Sequence, residues 1–295
     1  IPYQGSKRAL ANRILPFFPK EKVRLFEPFA GSAAVSIAAV ANGKVKGVVL
    51  NDANEPLMLL WKRIIEEPDS LLSTYEQLWN AQLGDERQYY DHVRDEFNKT
   101  HDPDRLFYLL ARCVKASVRY NANGEFNQSP DNRRKGAKPE TMAKHVKGAS
   151  QLLRGITLVR YGDFRKAIAD ATPKDVIYMD PPYQGVCGRR VNRYFEGLPF
   201  EEFVATLEEM NRKQLSFIIS YDGRTGEKSY GEMLPEDLHL THIEVEAGVS
   251  SQATLLGRTA QTIESLYLSP ALVNRIGISH IERTQPAIKA QLSLF

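Results

Sequence analysis

The sequence predicts an α/β protein: a doubly wound, mostly parallel sheet interrupted by a mainly helical insertion. Three observations carry this expectation. Short apolar runs alternate with segments of helical period, as they do in βαβ units. The alternation stops after Glu66 and resumes near Ile156. Between them lies a long stretch of helical periodicity with little strand signal, and its centre is crowded with turn-forming residues.

Six runs read as buried strands: Val23–Phe26, Gly47–Leu50, Ile156–Arg160, Val176–Met179, Leu215–Ser220 and Ile263–Leu268. Helical patterns fill the intervals at Ser32–Ala41, Glu55–Ile65, Phe164–Ala171 and Phe200–Asn211. Within the insertion, Asp104–Val118 reads as a helix. Tyr120–Gly136, dense in Asn, Gly, Ser and Pro, reads as a loop or hairpin. The expected division is therefore a discontinuous core domain (1–66 and 151–270), an inserted domain (67–150) and a tail (271–295).

Composition fits a globular chain with its own core. The 295 residues are 42% hydrophobic and 25% charged, so no metal or bridge is required. Cys113 and Cys187 are the two cysteines, which excludes a disulfide framework and a cysteine-rich metal site and suits a cytoplasmic protein. No apolar run reaches membrane-spanning length. Charge is uneven. From Arg112 to Lys147 nine basic residues face three acids, a net +6, which leaves −3 for the remainder of a chain of net +3. Such a local patch is a footprint for phosphates.

In an open parallel sheet, ligands bind beyond the carboxyl ends of the strands. Three candidates lie there. Gly31, after the first strand, allows a close backbone approach, and Ser32 is placed to cap the next helix. The three-glycine dinucleotide fingerprint is absent, and no Gly-Lys-Ser/Thr follows to cradle phosphates. Asp52, after the second strand, suits a pair of ribose hydroxyls. An adenosine without phosphates describes S-adenosylmethionine. Asp180-Pro181-Pro182-Tyr183 ends a later strand. The Asp180 carboxylate and the Pro181 carbonyl, stiffened by consecutive prolines, supply two acceptors that match the two hydrogens of a planar amine. Tyr183 can stack on the base that carries the amine. The bland alternative is a rigid turn.

These pieces, in this order, resemble the Dam-type (α-group, D12 class) DNA adenine-N6 methyltransferases. The resemblance rests on Pro2-Tyr3-Gln4-Gly5-Ser6-Lys7, Phe26–Ser32, Asn51-Asp52, Arg119-Tyr120-Asn121 with Gly124-Glu125-Phe126-Asn127, and Asp180–Tyr183. It implies a Rossmann-like, S-adenosylmethionine-dependent sheet and transfer of a methyl group to the N6 amine of an adenine flipped out of duplex DNA. Tyr3, Lys7, Glu27, Pro28, Phe29, Gly31, Asp52, Asp163, Phe164 and Asp180 would contact the cofactor. Asp180, Pro181 and Tyr183 would hold the adenine, with Tyr194, Phe195 and the Ser220–Gly223 segment bordering its pocket. Lys115, Arg119 and Lys135 would meet phosphates; Tyr120, Asn121, Asn123, Asn127, Gln128, Asn132, Arg133 and Arg134 would read base edges. Relatives with this hairpin often read GATC. Here Gln128–Arg134 departs from their shorter continuation, so the recognition sequence stays open. RNA or protein-amide methylation, or a non-catalytic DNA-binding regulator, are the alternatives. Duplex DNA is the expected partner, with a cognate restriction endonuclease as a further one. The last residues, with Gln291, Leu292, Leu294 and Phe295, resemble the bacterial sliding-clamp motif.

Overall fold

The computed structural model describes residues 1–182, 198–225, 228–230, 234–249, 261–277 and 279–281. Its strands are β1 (Val23–Glu27), β2 (Val45–Leu50), β3 (Thr157–Val159), β4 (Val176–Met179), β5 (Ser216–Thr225), β6 (Lys228–Tyr230), β7 (Thr241–Val249) and β8 (Gln261–Leu268). They form one sheet in the order β3-β2-β1-β4-β5-β8-β7, with β6 paired to β5. β3 to β5 pair parallel through β2, β1 and β4, while β8 runs antiparallel to both β5 and β7. The chain steps outward from β1 to β2 and β3, then returns to the other side of β1 as β4. The carboxyl ends of β1 and β4 therefore flank the switch point, where the loops diverge and leave a crevice.

Both faces of the sheet are covered. Successive strand side chains point to opposite faces, and two apolar clusters divide them accordingly. Leu25, Val48, Val176, Tyr178 and Ile218 belong to one cluster. Their neighbours Phe26, Val49, Ile177, Met179 and Ile219 belong to the other. The first face packs against α1 (Arg8–Ile14), α2 (Ala34–Ala41) and α3 (Glu55–Glu66). The second packs against α8 (Phe164–Ala167) and α9 (Phe200–Arg212). α10 (Pro270–Ile276) closes the first face through Leu272 and Val273.

Between β2 and β3, α3 is followed by α4 (Pro68–Ala81), α5 (Glu86–Thr100), α6 (Pro103–Arg112) and α7 (Pro139–Leu153). Their buried residues, among them Tyr75, Phe97, Phe107 and Val146, form one continuous core with Leu57, Trp61 and Ile64 of α3. A two-pronged pair from Arg63 to Asp104, at 3.1 and 3.0 Å, fastens α3 to α6. This is the planar fork geometry that suits a carboxylate.

Three local expectations are corrected. The helix expected to reach Val118 ends at Arg112, because Cys113 turns extended and bridges Pro130 while Lys115 and Ala116 adopt positive φ of 60° and 50°. α8 stops at Ala167, short of Ala171. Ser32 does not cap α2: the chain turns left-handed at Gly31 and again at Ala33, the N-cap, and the Ser32 hydroxyl lies 2.7 Å from that of Ser6. The capping role falls to Glu27. Its carboxylate accepts the Ser36 N–H at 3.0 Å, so a strand-end acid satisfies a first-turn donor near the positive end of the helix.

Candidate active site

A cavity of about 610 Å³ opens at the carboxyl ends of β1, β2 and β4. Its wall is built from backbone-fixed pieces. Asn51, buried at the end of β2, donates its side-chain amide to the carbonyls of Pro28 and Gly162, both at 3.1 Å. One amide thus ties together the loops after β1, β2 and β3. Asp52 next to it accepts the N–H of Gly31 at 3.1 Å and that of Asn54 at 3.0 Å. Trp61 of α3 donates to the Gly31 carbonyl at 2.9 Å. Gly31 has φ +46°, and a Cβ there would stand 3.0 Å from the Tyr3 ring, so a bare backbone is needed on both counts.

The strand period then explains the acids. Glu27, Tyr178 and Asp180 follow the residues of β1 and β4 that face α1 and α2, so they share that face. Lys7, just ahead of α1, brings its ammonium to 3.3 Å from Asp180 and 2.9 Å from Glu264 of β8. Burial pushes the Asp180 carboxyl up to about 6; Lys7 opposes the rise and Glu264 adds to it. Burial lifts Glu27 to about 7 against the pull of its Ser36 hydrogen bonds. Asp52 is also raised by burial, with the Asn54 and Gly31 N–H groups opposing. Asp163, by contrast, is held below the usual carboxylate range, first by its hydrogen bond from Arg165. Close by, the rings of Phe29 and Phe164 pack with centroids 5.1 Å apart.

Every residue expected to contact the cofactor lines this cavity: Tyr3, Lys7, Glu27, Pro28, Phe29, Gly31, Asp52, Asp163, Phe164 and Asp180, together with Pro181. The donor set fits S-adenosylmethionine. It offers an acid on a tight backbone turn, aromatic rings, and carboxylates that match a cation, without a glycine-rich phosphate cradle. Tyr183, Tyr194, Phe195 and the tail residues Gln291, Leu292, Leu294 and Phe295 lie outside the described residues.

The expected DNA-contacting residues divide into two groups. Tyr120 and Gln128 are buried and turned into the protein. The Tyr120 hydroxyl reaches Asn54 at 3.4 Å and its ring lines the cavity; Gln128 donates to the Val114 carbonyl at 2.9 Å. Asn121 spends its side chain on the turn, accepting from the N–H of Asn123 and of Glu125, both at 2.9 Å. Lys115, Asn123, Asn127, Asn132, Arg133, Arg134 and Lys135 are exposed, and Arg119 is half-buried. Arg134 pairs with Asp131 at 2.8 Å and Lys135 with Glu86 at 2.5 Å. The hairpin expected over Tyr120–Gly136 takes the form of a Tyr120–Phe126 antiparallel bridge closed by a turn.

Three residues went unsignalled or undervalued in the sequence. Arg112, counted among the surface cations, is buried and holds the segment from inside, donating to the carbonyl of Asp131 at 3.1 Å and to that of Arg134. Glu264 lies in an ordinary strand pattern with nothing to single it out. Asn51 carried a visible signal, a polar side chain at a strand end beside an acid.

A family model for the D12 class N6 adenine-specific DNA methyltransferases matches residues 3–250. The chain is 30% identical over 200 residues to the type II methyltransferase M.MjaIII of Methanocaldococcus jannaschii, spanning 62% of this chain and 68% of that protein. It is 24% identical over 280 residues to the type II methyltransferase M1.LlaDCHI of Lactococcus lactis subsp. cremoris, spanning 90% and 94%. The DNA adenine methylase of Escherichia coli K12 is 29% identical over 187 residues, spanning 62% and 64%.

Proposed function

Since the chain belongs to the D12 class of N6 adenine-specific DNA methyltransferases, we propose that the cavity at the ends of β1, β2 and β4 takes S-adenosylmethionine and an extruded adenine side by side. DNA adenine methylation follows from the family. The observation that carries the proposal is the convergence of Gly31, Asp52 and Asp180, from the ends of three adjacent strands, on the same 610 Å³ space.

When bound, the donor supplies an electrophilic methyl group on a positively charged sulfur. This chain's residues do the rest. Asp52 accepts hydroxyl hydrogens, and the Gly31 turn lets the ligand approach the backbone. Phe29 and Phe164, packed ring to ring on the cavity wall, would hold the donor's base. Glu27 and Asp180 place negative charge where a cation is held. Asp180 and the Pro181 carbonyl accept the two N6 hydrogens of the adenine, which orients the nitrogen lone pair toward the methyl group. Positioning and exclusion of water supply the acceleration, with no nucleophilic side chain.

The adenine must leave its stack, at a cost of a few kcal/mol. Lys115, Arg119, Arg133, Arg134 and Lys135 hold phosphates or guanine edges, and Asn123, Asn127 and Asn132 read adenine edges. We assign 67–150 to target recognition, 1–66 with 151–270 to catalysis, and the Gln291–Phe295 tail to a sliding clamp. The test is incubation of the full chain with methyl-labelled S-adenosylmethionine and unmethylated duplex DNA, followed by nucleoside analysis. Label in N6-methyladenine is expected. Label in another nucleoside or in protein, or none, would overturn the reading.

A further inference from the structure

Lys7 does not face Asp180 alone. Its ammonium lies between two carboxylates that come from distant parts of the sheet, Asp180 after β4 and Glu264 on β8, and it is nearer to Glu264, at 2.9 Å against 3.3 Å. The arrangement is fixed from three sides. The Lys7 carbonyl accepts the N–H of Leu10 at 2.9 Å and of Ala11 at 2.8 Å, which anchors its backbone at the start of α1. Asp180 stands on a stiff Pro-Pro backbone. Glu264 pairs opposite Gly223 because β5 carries a bulge between Ser220 and Gly223. Such a bulge re-aims side chains beside it. The side chains of Lys7, Asp180 and Glu264 are only 10%, 21% and 18% exposed, so their charges are weakly screened.

One ammonium between two carboxylates must divide its contacts between them. We propose that Glu264 is a positioning residue that draws the Lys7 ammonium partly away from Asp180 and so sets the pH at which Asp180 becomes the ionised acceptor for the target amine. The proposal rests on the reading of Asp180 as that acceptor. Among the described residues, the charged and titratable groups that act on Asp180 or feel it are Lys7 ahead of α1, Glu27 on β1, Tyr178 on β4 and Glu264 on β8. Lys7 favours the ionised form of Asp180; Glu264 disfavours it. Replacing Glu264 by a neutral residue removes a negative neighbour and leaves the ammonium to Asp180. Both effects act in one direction, toward ionisation at lower pH.

The test is a titration of the full chain labelled with ¹³C at the aspartate carboxyls, with Asp180→Asn identifying the Asp180 signal. In Glu264→Gln the midpoint is expected to fall by roughly one pH unit. In Lys7→Gln it is expected to rise. Glu264→Ser, smaller and uncharged, repeats the test should glutamine disturb the packing. In single-turnover methyl transfer to unmethylated duplex DNA, the acid limb of the rate profile should move with the midpoint. A midpoint that stays put in the Glu264 variants overturns the proposal, whether the rate is kept or lowered equally at every pH. If Asp180→Ala, which lacks the acceptor, still transfers methyl groups, the acceptor reading fails while the titration result stands, so the two failures are separable.

Discussion

Glu27 ends β1 with its carboxylate against the first turn of α2, and its folded pKa of about 7 lies above the ordinary 4.5. A raised carboxyl contributes stability that is complete below about 4.5 and is lost as pH climbs through 7; the difference is on the order of 3 kcal/mol. Glu27→Gln keeps an acceptor for Ser36 without the charge. It is expected to melt a few degrees above the wild type at pH 8, with the gain shrinking toward pH 5. The same ionisation links to the ligand. A cationic donor favours ionised Glu27 and Asp180, so affinity for S-adenosylmethionine should strengthen from pH 5.5 to pH 8, with proton release measurable by calorimetry in buffers of different ionisation enthalpy. At this scale, much of the site was legible. Asp180 and Gly31 are unusual for their places after a strand, and chemistry explains them. Glu264 was not legible, because its role depends on a pairing register that brings residue 264 beside residue 7.

The strand-end loops act as units. Gly31 packs under Tyr3 in a left-handed turn whose carbonyl is held by Trp61. Gly31→Val adds a side chain in a disfavoured conformation, at about 1–3 kcal/mol of strain. Donor affinity should fall at least about tenfold and the melting temperature by several degrees, as equilibrium binding and thermal melts would show. Asn51→Ala removes two buried hydrogen bonds that join three loops. Denaturant unfolding should register a loss of about 1–3 kcal/mol. The elements differ in how readable they are. β1, β2 and β4 are buried on both faces and read as apolar runs. β7 alternates instead, with Ile243 and Val245 buried and His242 and Glu244 exposed, so it lacks such a run. The early end of α6 was hidden because Asp104–Val118 keeps its apolar period; the break comes from Cys113 pairing with Pro130, a tertiary contact.

Among the described residues, charge is unevenly distributed. The acids Glu27, Asp52 and Asp180 gather in the cavity, while exposed cations cluster on the 115–135 segment of the insertion. Burial of Arg112 takes one cation out of that patch and uses it as an internal clasp. Arg133→Ala, Arg134→Ala and Lys135→Ala combined should weaken duplex binding and reduce the steepness of its salt dependence, by about 0.9 per lost phosphate contact in the log–log slope. Donor affinity should be unaffected. Anisotropy titrations at several salt concentrations would check this. The run of helices between β2 and β3 was evident from periodicity. The fusion of its later helices with α3 into one core was not, because a sequence pattern gives the buried face of each helix and not its partner.

Asp180 is placed to grip an amine inside the cavity proposed to hold the methyl donor. The most direct measurement compares Asp180→Ala with the wild type in a single-turnover assay on unmethylated duplex DNA, alongside duplex affinity. Methyl transfer should disappear while duplex binding stays within a few-fold of the wild type. Transfer at close to the wild-type rate would contradict the account.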